Sequence, residues 1–363
     1  MEAPAAPAIW SPHWEITLGD CPTALAWNPD ADQLGAVSLA GEVVRIDVTS
    51  RVSERVADHA GGALCVAWAG HRMISGGQDG TVTVDGERVD VGGWVGAVAA
   101  SADARRVAVA HGRQVSILDV GCNPPPLRHH DRHDTTVTCL CWHPTSIDVL
   151  VAGSFGRIAQ DVAPATDVVQ VVSDAELALG GSIAAVHASA TGWWAAGVRG
   201  DVAYLWNDVG ASQPVELPTG RWSGHLLGFS AGGDLLATAS RQMTAVFDFD
   251  STDPLGMPTG MWLTSIGIPT ALAWRPRSAQ LITAVSIGRG ADDNGLLVWD
   301  PRRSPSPLGF ITTAGPVEQL AWASSGDLIA LAFADGTVSV GAVDILGLHP
   351  DRPVSLPEPL PPW

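Results

Sequence analysis

The chain has 363 residues, 46% of them hydrophobic and 16% charged, so it carries ample apolar material for a folded core. Acidic residues outnumber basic ones 38 to 20, which gives a net charge of −18. A protein that binds nucleic acid or an anionic membrane needs a basic stripe to neutralise phosphates, and the sequence shows none. We therefore expect neither nucleic acid nor a membrane surface as a partner.

No targeting or membrane-spanning segment is recognisable in the sequence. The first residues, Met1–Pro4, lack the basic and apolar regions of a secretory signal. The most apolar stretch, residues 183–198, is too short and too mixed to cross a bilayer. The five cysteines are an odd number and do not indicate a disulfide framework. These features predict a cytoplasmic protein with reduced thiols.

A short phrase that ends in tryptophan recurs along the chain. Pro22–Trp27 (PTALAW) returns unchanged as Pro269–Trp274, and close copies end at Trp68, Trp142 and Trp322. Weaker copies place Ala100, His187 and Phe229 at the same point. The aligned positions are then 27, 68, 100, 142, 187, 229, 274 and 322. They recur about every 42 residues, which is the period of a propeller blade.

Each repeat contains short apolar strands separated by polar turns, without helical periodicity. Asp79–Gly80 and Asp335–Gly336 are the clearest tight turns, because Asp-Gly is a strong hairpin signal. A more variable fourth strand, such as Val215–Leu217, precedes the next copy of the phrase. The pattern predicts an all-β fold, a single β-propeller of four-stranded antiparallel blades.

Several motifs resemble those of the WD-repeat β-propeller family. Residues 204–207 (YLWN) and 297–300 (LVWD) are similar to the Trp-Asp ending of its repeats, and His59 and His133 are similar to the histidine that precedes its first strand. The resemblance covers residues 10–345 and implies a non-catalytic scaffold that binds other proteins. In that family Asp, His, Ser or Thr, and Trp form a hydrogen-bonded tie across each blade. Most repeats here lack part of this tie, so the resemblance implies that packing supplies more of the stability.

The repeats predict one domain, residues 1–352, with eight blades. Seven blades is the alternative, because the spacing between positions 68 and 100 is short. Residues 10–20 should provide the outer strand of the last blade, since ring closure removes free sheet edges. Residues 353–363 are rich in proline and should form an extended tail outside the ring.

The absence of lysine beside abundant alanine, glycine and arginine indicates a bacterial, actinobacterium-like source.

Small and large residues alternate along the strand that carries each phrase. Ala24 and Ala26 flank Leu25, for example, and successive side chains of a strand point to opposite faces. One face of the strand therefore carries small side chains and the other carries large ones, as two closely packed sheets require. Cys65, Cys139 and Cys141 occupy the small positions, so we interpret them as core residues rather than as a redox or metal site.

One segment, residues 128–134 (RHHDRHD), has a composition that can bind a divalent metal. Its two arginines repel a cation, and the prolines of Pro124–Pro126 indicate an exposed linker. We predict no metal site, although metal binding by residues His129–His133 stays an alternative.

Catalytic signatures are missing from the sequence. It has no Gly-x-Ser-x-Gly elbow, no phosphate loop and no zinc-protease helix. We therefore expect no enzymatic activity and no cofactor. Because a fold does not determine function, an enzyme or a small-ligand binder that uses the central channel mouth stays the alternative hypothesis.

Two tryptophans stand where the repeat does not require one. Gly92–Trp94 and Gly220–Trp222 each connect the last strand of one blade to the first strand of the next, and the long loop 288–295 joins two middle strands. The resemblance implies that both kinds of connection lie on one face. Trp and Arg often dominate interfaces, although large aromatics are usually buried, so both tryptophans could instead fold back over neighbouring blades. The predicted protein-binding residues are Trp94, Arg221, Trp222, Arg289, Asp292 and Asp293.

Overall fold

The structure is a computed structural model. It describes residues 10–122, 125–162, 177–198, 203–207, 214–217, 226–239, 244–252, 258–263, 266–287 and 294–343. Within these ranges the regular structure consists of antiparallel β-strands and contains no helix. The predicted all-β propeller of antiparallel sheets is confirmed.

Consecutive strands pair with one another, so most sheets are four-stranded meanders. The first three consist of β2 (Pro22–Trp27), β3 (Gln33–Ser38), β4 (Glu42–Asp47) and β5 (Val52–Asp58); of β6 (Ala63–Ala69), β7 (Arg72–Gly77), β8 (Thr81–Val84) and β9 (Glu87–Asp90); and of β10 (Val95–Ala100), β11 (Arg106–His111), β12 (Gln114–Asp119) and β13 (Leu127–Arg132). The seven-bladed alternative depended on the short spacing between positions 68 and 100. These two positions lie in different four-stranded sheets.

The remaining strands continue this order around the molecule. One seven-stranded sheet contains β14 (Cys139–Trp142), β15 (Val149–Gly153), β16 (Phe155–Val162), β17 (Leu177–Ala188), β18 (Trp194–Val198), β19 (Ala203–Trp206) and β20 (Val215–Glu216). Two four-stranded sheets follow: β21 (Leu226–Phe229), β22 (Leu235–Ala239), β23 (Thr244–Thr252) and β24 (Pro258–Leu263); then β25 (Ile268–Trp274), β26 (Leu281–Ser286), β27 (Asn294–Trp299) and β28 (Gly309–Thr312). The last sheet combines β29 (Val317–Trp322), β30 (Ile329–Phe333) and β31 (Thr337–Val343) with β1 (Trp10–Thr17).

The seven-stranded sheet arises because β17 belongs to two blades. Its first half pairs with β16, with Leu177 opposite Ile158, and its second half pairs with β18, with Ile183 opposite Val198. If β17 is divided there, the described strands form eight sheets of four strands each. Each blade is named below by its inner strand: β2, β6, β10, β14, β17, β21, β25 and β29.

The inner strands form a closed ring. Each contacts the inner strand of the next blade, and β29 contacts β2. The last sheet contains chain from both ends of the described region, because β1 pairs antiparallel with β31, with Trp10 opposite Val343 and Thr17 opposite Thr337. This strand lies within the segment 10–20 that we expected to close the ring. The tail, residues 353–363, lies outside the described residues.

Neighbouring blades pack a small face against a large one. Ala24 and Ala26 of the β2 blade contact a cluster that includes Val66 and Trp68 of the β6 blade. The same arrangement recurs at two further boundaries, where alanines of β10 face Leu140 and Trp142 and alanines of β25 face Leu320 and Trp322. Cys65 and Cys139 lie buried in such clusters, as predicted from their small neighbours. Because the side chains on one face are small, neighbouring sheets approach closely and bury the large side chains between them. This burial supplies the main driving force for folding.

The repeated tryptophans also bond the blades together. In four blades the indole Nε1–H donates to a backbone carbonyl of the preceding blade at 2.8–2.9 Å. The acceptor always lies one residue before the aligned position of that blade. The donor and acceptor pairs are Trp27 and Ala321, Trp68 and Ala26, Trp142 and Ala99, and Trp274 and Gly228.

The structure corrects the alignment of one weak copy. In five blades the inner strand carries a register shift directly after the residue that lies five before the aligned position, namely Pro22, Ala63, Val95, Pro269 and Val317. In the β17 blade the same shift follows Ile183, so the aligned position is Ala188 rather than His187. His187 instead takes the place of Ala26. This copy has no tryptophan to mark the aligned position, so only the strand pairing reveals it.

The hydrogen-bonded tie implied by the resemblance is best developed in the β6 blade. There Nδ1 of His59 lies 2.9 Å from Oδ1 of Asp79, and its Nε2 lies 2.8 Å from Oγ of Ser75. In the β25 blade the described residues include one part of the tie, a bond from Trp299 Nε1–H to Thr283 Oγ1.

Candidate interaction surface

The strand order places two kinds of connection at each end of the blades. In the β2 blade, residues 39–41 join the second and third strands, and residues 59–62 lead to the next blade. Because adjacent strands are antiparallel, these two connections lie at the same end of the sheet. We call this end of the ring the upper face and the opposite end the lower face.

Nine large apolar side chains of the described structure are exposed: four at the upper face, two at the lower face and three on outer strands at the rim. Those of the upper face are Leu39, Trp94, Phe155 and Ile268; those of the lower face are Val52 and Ile147; those of the rim are Val215, Met261 and Trp262. Trp94 and Phe155 are the most exposed of all, at 65% and 62%.

Trp94 projects outward from a glycine-rich turn. It lies between β9 and β10, where the Asp90 carboxylate accepts a 2.8 Å hydrogen bond from the Gly92 N–H. Gly92 has a φ of +76°, which favours glycine, and open space surrounds its α-carbon. The next residue, Val95, is buried. The turn therefore holds the indole in solvent, and Trp94 does not fold back over a neighbouring blade.

Hydrogen bonds connect Trp94 to Phe155 across two blades. Gly112 N donates to the Trp94 carbonyl at 3.2 Å, and Val137 N donates to the Gly112 carbonyl at 2.9 Å. Two residues before Val137, the Thr135 hydroxyl accepts a 3.1 Å bond from Phe155 N. We call this band of the upper face the Trp94–Phe155 strip.

Arginines lie between the two aromatic ends of the strip. The Arg113 guanidinium donates to the Asp134 carbonyl at 3.4 Å, and Arg157 Nη1 lies 2.7 Å from the Asp134 carboxylate. Arg132 is exposed at the end of β13, and His133 N donates to the Arg113 carbonyl at 2.8 Å. Two arginines thus contact Asp134, Arg113 at its backbone carbonyl and Arg157 at its carboxylate.

Another sector of the upper face is acidic. Burial and the nearby carboxylates of Glu318 and Asp20 raise the pKa of Cys21, where the chain enters β2. Asp335 is exposed in the neighbouring turn between β30 and β31.

The other residues predicted for the binding surface fall outside the described ranges. Arg221 and Trp222 lie in 218–225, and Arg289, Asp292 and Asp293 lie in 288–293. Of the histidine-rich segment, the side chains of residues 128–131 are likewise not described. Among the side chains that are described, no group of three or more His, Cys, Asp or Glu is placed to hold a metal ion.

Sequence reasoning missed most of the strip. Phe155 had a signal like that of Trp94, since a large aromatic follows Gly153 and precedes Gly156 in a tight connection. The sequence carries no comparable signal for Arg113 and Arg157. They are 44 residues apart in the chain, and only the packing of adjacent blades brings both to Asp134.

Comparisons with known proteins agree with this architecture. A family profile described as "WD domain, G-beta repeat" matches residues 124–158. The fold is similar to that of a chain in a crystal structure of a mitotic checkpoint complex, with a TM-score of 0.63 and 17% sequence identity over 94% of this chain and 97% of that chain. The fold is a β-propeller. A comparison with curated proteins gave no match.

In the part of the chain that the structure describes, no helix has the length and apolarity needed to cross a membrane.

Proposed function

We propose that this protein is a non-catalytic scaffold that binds one or more partner proteins through its upper face. The observation that carries the proposal is the 65% exposure of Trp94 in a turn shaped to hold it in solvent. Leaving a large aromatic in water forgoes its burial, and tryptophan is among the side chains that most often dominate protein interfaces.

The comparisons support a role in protein assembly. The structurally similar chain belongs to a complex of proteins, and propellers with WD repeats generally bind other proteins. The alternative hypothesis, an enzyme or a ligand-binding channel, has no observation in its favour among the described residues.

We also propose a cytoplasmic location and a bacterial source. The five free cysteines suit a reducing compartment.

The proposed surface extends beyond the strip. The sequence-based prediction also includes Arg221, Trp222, Arg289, Asp292 and Asp293, and they stay part of the proposal. In this proposal no metal, cofactor or nucleic acid takes part.

The proposal is tested by comparing three tagged forms of the full chain in extract from the native cell. Proteins captured by the wild type and by Trp94→Ala are quantified by mass spectrometry, with Ile147→Ala on the lower face as the matched control. We expect at least one protein that the wild type and Ile147→Ala retain and that Trp94→Ala loses. Identical sets for all three folded proteins would contradict the proposal.

A further inference from the structure

We propose that two copies of this chain pair through β24, the outer strand of the β21 blade, to form a symmetric dimer. β24 (Pro258–Leu263) pairs with β23 along one side, and no described strand pairs with its other side. The unpaired N–H and C=O groups of such an edge are a template for a further strand. This edge lies at the rim of the ring and is separate from the Trp94–Phe155 strip of the upper face.

The composition of β24 distinguishes it from other outer strands. Natural edge strands are protected from pairing by charged side chains, by proline or by a bulge. Among the outer strands whose side chains are all described, β1, β5, β9 and β20 carry charged residues. β28 is uncharged, but only its last residue is exposed. β24 has no charged residue, and four successive residues, 259–262, are exposed. It therefore lacks the charges that keep the other edges from pairing.

Two large apolar side chains project from this edge. Met261 is 38% exposed and Trp262 is 44% exposed, and as successive residues of a strand they lie on opposite faces. The Trp262 ring is edge-on to the buried ring of Phe247, with the ring centroids 6.5 Å apart. A second strand added to the edge would continue the sheet and cover apolar surface on both of its faces.

The sequence of β24 is complementary to itself. Gly260 pairs with Phe247 and Trp262 pairs with Ala245, so Gly260 and Trp262 lie on the same face. Antiparallel pairing centred on Met261 places Trp262 of one copy opposite Gly260 of the other, and this contact occurs twice. An aromatic side chain opposite an edge glycine covers the backbone that the glycine leaves bare. This complementarity selects a second copy of the same strand as the partner.

The same register limits the contact to two copies. It places Met261 opposite Met261 and Thr259 opposite Leu263. Pro258 has no N–H to donate, so the new ladder ends at this residue. A two-fold contact uses the same edge of both copies and therefore does not propagate into a fibre. Because the ladder is short, we expect a weak dimer with a dissociation constant on the order of 10–100 µM.

Salt should strengthen the dimer. Each copy has a net charge of −18, so two copies repel one another, and added salt screens this repulsion. The uncharged edge is a place where two copies can approach without bringing like charges into contact. A basic segment of another protein would show the opposite behaviour, because salt weakens attraction between opposite charges.

The test measures the mass of the full chain by analytical ultracentrifugation over a range of protein concentrations, in low and in high salt. We expect a monomer–dimer equilibrium whose dissociation constant falls as salt is added. Met261→Lys and Met261→Glu each place two like charges opposite one another and should weaken the dimer at least about tenfold. Trp262→Ala removes the side chain that covers Gly260 and should weaken it at least about threefold.

A charge exchange locates the register. An equal mixture of Met261→Lys and Met261→Glu brings opposite charges together at the two-fold axis and should dimerise more tightly than either variant alone. Val52→Lys is the matched control, since Val52 is 58% exposed on the outer strand β5 and lies in another blade. It should dimerise like the wild type. Melting curves verify that each variant is folded.

Four results would overturn the inference: a monomer at every concentration, a dimer that Met261→Lys leaves unchanged, a mixture that binds no more tightly than the single variants, or a dimer that salt weakens. The proposed function is judged separately, because the capture experiment concerns the upper face. Trp94→Ala should dimerise like the wild type whether or not it loses a captured protein.

Discussion

Trp68 donates its indole Nε1–H to the carbonyl oxygen of Ala26 at 2.8 Å, across the boundary between two blades. The two residues are 42 positions apart, about one repeat. The same side chain fills the cluster between these blades, where it lies against the small row of the β2 blade. One residue of the repeated phrase thus contributes both apolar burial and a directional bond, and the bond determines how one blade is placed against the next.

Trp68→Phe should separate these two contributions. Phenylalanine keeps an aromatic ring in the cluster and leaves the Ala26 carbonyl without its donor, so we expect a loss of about 1 kcal/mol in the free energy of unfolding. Trp68→Ala removes the ring as well and should cost about 4 kcal/mol. Urea unfolding followed by fluorescence measures both values.

Trp322 provides the matched control. Its Nε1–H is buried and has no hydrogen-bond partner among the described residues. Trp322→Phe removes a buried, unsatisfied donor and should therefore cost clearly less than Trp68→Phe. Equal losses for the two variants would show that the indole bond does not stabilise the ring.

Removal of residues 1–20 should destabilise the whole ring. The deletion removes β1, exposes the edge of β31 and uncovers the apolar surface that Trp10 and Trp14 contact. We expect the melting temperature to fall by more than about 5 °C, measured by circular dichroism. Deletion of residues 353–363 is the comparison and should leave the melting temperature unchanged. The closing role of β1 is wrong if the two deletions behave alike.

The Asp79 carboxylate should make stability depend on pH. Burial acts to raise its pKa, but hydrogen bonds from His59 and Thr81 outweigh this and hold the pKa below the ordinary value of 3.8. A carboxyl whose pKa is lowered by folding stabilises the native state above its unfolded pKa, and the contribution is lost as pH falls through the folded pKa. Asp79→Asn should therefore cost about 2 kcal/mol at pH 7, and its difference from the wild type should shrink below pH 4.

Asp335→Asn is the control for this prediction. Asp335 occupies the equivalent turn and accepts a 2.9 Å bond from Thr337 N, but it is exposed. We expect a smaller loss, since hydrogen bonds to an exposed charge are weakened by solvent. Chemical unfolding at several pH values measures both variants. A difference between Asp79→Asn and the wild type that stays constant from pH 7 to pH 3 would contradict the assignment.

The cysteines should differ sharply in reactivity. Burial raises the pKa of Cys65 and of Cys139 to about 12, so almost no thiolate forms at neutral pH. Cys122 is exposed. In the native protein Cys122 should react rapidly with a thiol reagent at pH 8, whereas Cys65 and Cys139 should react only after unfolding. Mass spectrometry of the labelled peptides identifies the sites, and rapid native labelling of Cys65 would disprove its place in the core.

Trp94→Ala should change binding without changing stability. Because the side chain is 65% exposed, its removal should shift the melting temperature by no more than about 2 °C. If the variant melts well below the wild type, Trp94 has a structural role and its use as a binding anchor must be abandoned.

The sequence by itself determined the repeat and the core. The spacing of Trp27, Trp68, Trp142, Trp274 and Trp322 predicted a propeller, because a blade must return to the ring axis after a constant length of chain. The alternation of small and large residues predicted how blades pack, since it follows from the local geometry of a strand. Trp94 was predicted as a binding residue in the same way, as a departure from the repeat.

Tertiary structure alone decided what depends on contacts between blades. The pairing of β17 with β18 moved the aligned position from His187 to Ala188, and no tryptophan in this copy marks it. The indole of Trp27 bonds to Ala321, 294 residues away. Arg113, Asp134 and Arg157 meet only because adjacent blades bring their connections together. Local alternation specifies a strand and its faces, whereas a surface made of several connections exists only after the ring has closed.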